Sequence, residues 1–176
     1  TNDYEYWIQE TRGLKIVNPV EWTVDKVEYY GNPMSLSQII PIELYNRTAY
    51  TVVAETNWSS SYQFFTEKTV KPILARRLFI TLGNQYHLAA LQRLGFKTFD
   101  GIIDESFDSI ENNQQRIERI SQVIEDLCRS DLVSFLRAAE PVCKYNQQHL
   151  ALMRQKVRAE FPERFFQFLR QHKWMT

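Results

Sequence analysis

Two short apolar, β-branched runs constrain this chain more than anything else in it. "AYTVVAET" (49–56) and "LFITLG" (78–83) flank a polar, helix-patterned stretch, "TEKTVKPILARR" (66–77). Continuous apolar runs of this length read as buried strands. A strand, a helix and a second strand at this spacing make a parallel pair joined by a crossover helix. The pattern continues with "QYHLAALQRLG" (85–95), an amphipathic helix closed by Gly95, and "FKTF" (96–99), a third short strand. The alternation predicts an α/β fold: a Rossmann-like, mostly parallel sheet flanked by helices, with a helical C-terminal portion. Val52, Val53, Phe79, Ile80 and Leu82 are expected in its interior.

Beyond residue 110 the chain turns helical. "NNQQRIERISQVIEDLCRS" sets Ile117, Ile120, Val123, Ile124 and Leu127 on one face. "DLVSFLRAAE" carries that pattern to Pro141, where a break is expected. "QQHLALMRQKVRAEF" and "PERFFQFLRQHKW" form the tail, with Pro162 at a first helical position. In the tail Phe161, Phe165, Phe168 and Leu169 share one side, read as packing against the domain itself. Residues 1–45 read as an irregular segment packing on the 46–176 domain. "LKIV" (14–17) is a possible strand there, Asn18-Pro19 and Gly31-Asn32-Pro33 mark turns, and "SLSQIIPIELYNRT" holds a short helix interrupted near Pro41.

Composition removes several function classes. The 176 residues carry 21 Lys plus Arg against 21 Asp plus Glu, so no global field draws nucleic acid. No apolar stretch reaches the roughly 20 residues of a membrane span. Cys128 and Cys143 fit neither a zinc spacing nor a disulfide framework, which points to a reducing, cytoplasmic setting. His87, His149 and His172 form no HExxH-like pairing. Of these His87 stands nearest a site, just after Gly83. Asp100, Asp104, Glu105 and Asp108 lack an EF-hand pattern and read as caps and turn residues, with no metal site. Neither GxSxG nor a P-loop is present, so hydrolase triads and P-loop NTPases lack support.

The candidate site is "TEK", Thr66-Glu67-Lys68, with Lys71 one turn on. Ligands of open parallel sheets bind at the carboxyl ends of the strands, where helix N-termini point and favour anions. A lysine in that first turn suits a phosphate, and a carboxylate beside it can accept from vicinal ribose hydroxyls. Taken together, "VVAETN…FFTEKTVKPILARRLFITLG" resembles the C-terminal donor-binding domain of GT-B type glycosyltransferases, nearest to the α1,3-fucosyltransferase pattern. It also resembles uncharacterised bacterial and phage proteins that carry "TEK…KP", "LGFKTF" and "DESFD".

The resemblance implies a nucleotide-sugar substrate, GDP- or UDP-linked, and no metal cofactor. It implies donor-binding roles for Glu67 on the ribose and Lys68 on the diphosphate, with Glu55 and Asn57 as weaker matches and Thr66 and Lys71 alongside. It covers roughly residues 49–83. The family's acceptor domain, which supplies the catalytic base, has no counterpart in these 176 residues, so the chain is expected to be incomplete or inactive alone. Two rival readings stand beside it: a non-catalytic nucleotide- or sugar-binding module, and an interaction domain acting through the helical tail.

Overall fold

The computed structural model describes residues 26–29, 32–59 and 62–171. Contacts divide the chain between Ile39 and Ile40. In the first unit β1 (Lys26–Tyr29) pairs antiparallel with β2 (Asn32–Ser35), from Lys26↔Ser35 to Tyr29↔Asn32, and a 3-10 turn follows at Leu36–Gln38. The stretch expected to be irregular therefore contains a hairpin. The strand expected at 14–17 lies outside the described residues.

The second unit opens with α1 (Ile42–Arg47). Pro41 does not interrupt this helix but precedes it, and its carbonyl accepts from Leu44 N and Tyr45 N. A proline there forfeits no helical hydrogen bond, because the first N–H groups of a helix have no partner within it. β3 (Tyr50–Ala54), α2 (Glu67–Leu74) and β4 (Leu78–Leu82) then form the expected strand, helix and strand. β3 and β4 run parallel, in register from Tyr50↔Leu78 to Ala54↔Leu82.

The sheet stops at two strands among the described residues of this unit, which corrects the wider parallel sheet expected from the sequence. Residues 96–99 join no ladder, for a specific reason. The buried Asn146 amide accepts from Lys97 N (2.8 Å) and donates to Lys97 O (2.8 Å), meeting that backbone as a neighbouring strand would. Phe99 N donates to a Glu105 carboxylate oxygen at 2.7 Å. A side-chain amide and a carboxylate satisfy the segment, so it needs no strand beside it.

A narrow sheet also changes the core. Val53, Phe79 and Ile80 are buried as expected, but Val52 is 47% exposed and Leu82 only partly covered. β3 buries one face only, so Val53 turns inward and Val52 outward. Phe79 and Phe99 meet edge to face at 5.3 Å, and the core runs on through Phe96, Ile103 and Phe107.

α3 (His87–Arg93) ends at Gly95, whose φ of 89° lies in the left-handed region. A Cβ there would meet the His149 ring at 2.8 Å, so both conformation and space require glycine. α4 (Asn113–Arg129) begins at an Asn112 cap and buries Ile120, Val123 and Leu127, leaving Ile117 and Ile124 partly covered.

α5 (Leu132–Gln171) is a single helix of 40 residues with Pro141 and Pro162 inside it, not the separate helices expected from those prolines. The turns after Pro141 are anchored too firmly to end there. Tyr145 OH donates to Gly95 O, Asn146 holds Lys97, Gln147 Nε2 donates to Leu74 O, and a His149 ring nitrogen bonds Leu94 O. α5 thereby satisfies carbonyls at the C-terminal ends of both α2 and α3. Its far end does not pack as expected: Phe161 is 60% exposed and Phe165 45%, the two rings stacked at 5.7 Å.

Candidate functional site

α2 starts immediately past the carboxyl end of β3, and one buried carboxylate fixes how it starts. Glu55, 2% exposed, accepts from Thr66 N (3.2 Å), Thr66 Oγ1 (2.6 Å) and Thr69 Oγ1 (2.5 Å). Its own N–H donates to Leu82 O, which ties the strand end to β4. Thr66 is the N-cap that the sequence suggested, its hydroxyl accepting from Lys68 N at 3.2 Å. One hydroxyl thus donates to Glu55 and receives from the helix. Pro72 stays inside the helix and is buried, so the helix continues across it despite the lost N–H.

Glu67 and Lys68 lie on the outer side of this start. Their side chains pair at 3.3 Å and are 38% and 42% exposed. Lys68 Nζ also donates to Thr56 Oγ1 at 3.1 Å, which holds the ammonium over the β3 loop. Partial burial opposes ionisation of Glu67. Its own backbone N–H and the ammoniums of Lys68 and Lys71 outweigh that and hold its carboxyl below the usual range. Burial, with Lys68 nearby, lowers the Lys71 ammonium against the opposing pull of Glu67. Asn57 Nδ2 donates to Tyr62 OH at 2.5 Å. The structure brings Thr66, Glu67, Lys68, Lys71 and the β3 loop together, but Glu55 points inward with both oxygens engaged.

Arg116, which the sequence reading left out, and His87, which it set near the site, shape the surroundings. Arg116, 2% exposed, donates to Gly83 O (3.1 Å), Trp58 O (2.9 Å), Ile110 O (2.7 Å) and Glu111 O (3.3 Å). It pins the loops at the carboxyl ends of β3 and β4 to the start of α4. The signal was present, since Arg116 falls on the stripe of Ile120, Val123 and Leu127. His87, 2% exposed, packs on Phe65 with ring centroids 4.6 Å apart, and its Nε2 has no hydrogen-bond partner. Burial holds this imidazole below its usual pKa although Glu55 and Asp108 pull the other way. A Cβ on Gly83 would lie 2.5 Å from the same ring, so that glycine makes room for it.

The acidic cluster is engaged in turns and caps. Asp108 accepts from Leu88 N and Ala89 N at the start of α3, while Asp104 accepts from Ser106 N and pairs with Arg119. Among the described residues no group of three His, Cys, Asp or Glu side chains is arranged to hold a metal ion, and no helix is long and apolar enough to cross a membrane. Cys128 is exposed and Cys143 buried, and neither forms a disulfide.

Burial pushes the Glu105 carboxyl up to about 6, with hydrogen bonds from Thr98 and Phe99 opposing and the charges of Asp100 and Asp108 adding. A folded pKa above the unfolded one favours the protonated form in the fold. This contribution is complete below the unfolded value of about 4.5 and is lost as pH rises through about 6. Its size is on the order of 1–2 kcal/mol. Glu105→Gln should therefore gain stability relative to wild type by that amount between pH 4.5 and pH 7.5, read by urea titration at both. Parallel pH profiles for the two proteins would remove Glu105 as the titrating group.

No protein-family model, curated protein or solved structure matches this chain.

Proposed function

We propose that the domain binds a nucleoside-diphosphate sugar at the amino end of α2, as the donor-binding half of a GT-B type glycosyltransferase. The observation that carries this reading is the half-exposed Glu67–Lys68 pair in the first turn of a capped helix, beside the carboxyl ends of two parallel strands. The dipole of the helix start favours an anion there, and Lys68 adds a full charge. On this reading Lys68 holds the diphosphate and Glu67 the ribose hydroxyls. As the sugar's anomeric carbon is attacked by an acceptor hydroxyl, the same ammonium and helix end stabilise the departing diphosphate. Glu55 serves as the buried strut beneath these groups. The Rossmann-like assignment rests on the strand, helix, strand unit and on the sequence resemblance.

The two charges have separable roles, and calorimetry reads both. Lys68→Ala should weaken GDP or UDP by about 10- to 100-fold and the free nucleoside far less, since a charge-assisted contact is worth roughly 1.5–3 kcal/mol. Glu67→Gln should weaken diphosphate and nucleoside alike, because both carry the ribose, and a 2′,3′-dideoxy analogue much less. Equal affinities across these variants and ligands would end the donor-site reading. The exposed Phe161 and Phe165 favour a second reading, in which the far half of α5 contacts another protein.

A further inference from the structure

A groove lies at the opposite end of the sheet from α2's first turn. It encloses about 480 Å³, within the usual range for small-molecule sites. Ala49 just before β3 and Leu78 at the start of β4 form its floor, Cys143 is buried beside them, and Arg76, Arg77, Arg137 and Glu140 form its charged wall. Three guanidiniums against one carboxylate leave two positive charges in excess. The protein engages them only in part. Arg76 pairs with Glu140 at 3.5 Å in an exposed contact, where such pairs are weak. Arg77 Nη2 donates to Asn46 Oδ1 at 2.9 Å, while its buried Nε has no acceptor. Arg137 has no ion-pair partner among the described residues.

The backbone of Arg76 adds an independent observation. α2 ends at Leu74, Ala75 caps it, and Arg76 follows at φ 54°, in the left-handed region. Glycine usually occupies that position because it adopts the conformation without strain. Here the chain keeps an arginine, whose side chain borders the groove. Strain retained at a charged groove points to a use for the charge.

We propose that this groove is an anion site for a small phosphate-bearing ligand, held by Arg76, Arg77 and Arg137. A forked guanidinium matches phosphate oxygens in pairs, and the excess of two charges matches a phosphate dianion. The site uses none of the residues of the α2 site and stands whether or not that reading does.

Pyrophosphate titrated calorimetrically into the full chain at low salt tests it, in a Lys68→Ala background so that any binding at α2 is suppressed. That protein should bind pyrophosphate. Adding Arg137→Gln, at an exposed position, or Arg76→Gly should weaken it about tenfold or more. Arg76→Gly should leave the melting temperature unchanged or raise it, because glycine relieves the left-handed backbone, so lost binding cannot be blamed on lost folding. The proposal is overturned if the Lys68→Ala protein shows no binding at roughly millimolar pyrophosphate, a weak affinity by any scale. It is equally overturned if both added substitutions leave the affinity unchanged.

Discussion

Arg116→Leu should destabilise the second unit by about 3–5 kcal/mol, among the largest losses for a single substitution in this chain. The leucine fills part of the space but donates nothing. The carbonyls of Gly83, Trp58, Ile110 and Glu111 each lose a charged donor, and the Gly83 carbonyl is met deep in the interior. Leaving such a group unsatisfied costs about 1–3 kcal/mol each, offset where water reaches the more exposed ones. Arg116→Lys should fall between, since an ammonium keeps the charge but cannot reproduce the planar fork. Urea titration measures both, and a loss below about 1 kcal/mol for the leucine variant would show that the clamp is dispensable. Because the clamp holds the two loops beside α2, the ligand binding proposed there should weaken in the lysine variant too.

Phe79→Ala should cost about 3–5 kcal/mol, the range for removing a fully packed aromatic. Phe79 is 4% exposed in β4 and meets Phe99 edge to face, so truncation opens a cavity and strands one partner ring. Val52→Ala makes the contrast within the same sheet. At 47% exposure it should cost well under about 1 kcal/mol, as surface changes do. If both substitutions cost the same in a denaturant titration, the inside-outside alternation of β3 is not as described.

These two residues show what the sequence disclosed and what it hid. The strands at 50–54 and 78–82, the Thr66 cap and the α4 stripe follow from local pattern, and local pattern is what apolar periodicity reports. The third strand failed because its backbone is satisfied by Asn146, some fifty residues away, and no window over 96–99 contains that information. The prolines misled because Pro141 weighs one hydrogen bond against four side-chain anchors set beyond it. Glu55 entered the candidate site through the resemblance, and a carboxylate after a strand reads alike whether it faces a sugar or two threonines. Polar residues on apolar stripes were the clue not used: Arg116 among Ile120, Val123 and Leu127, and Asn146 in line with Ala139 and Cys143.

The prolines of α5 have a mechanical consequence. Each lacks the N–H that would reach back four residues, so the carbonyls of Arg137 and Arg158 have no helical donor. Bending the rod at either place works against one hydrogen bond fewer than bending it elsewhere. The stretch after Pro162, bearing Phe165 and Phe166, is joined to the anchored part through such a joint. Amide exchange should see protection dip beside each proline, dividing one uninterrupted helix into three blocks.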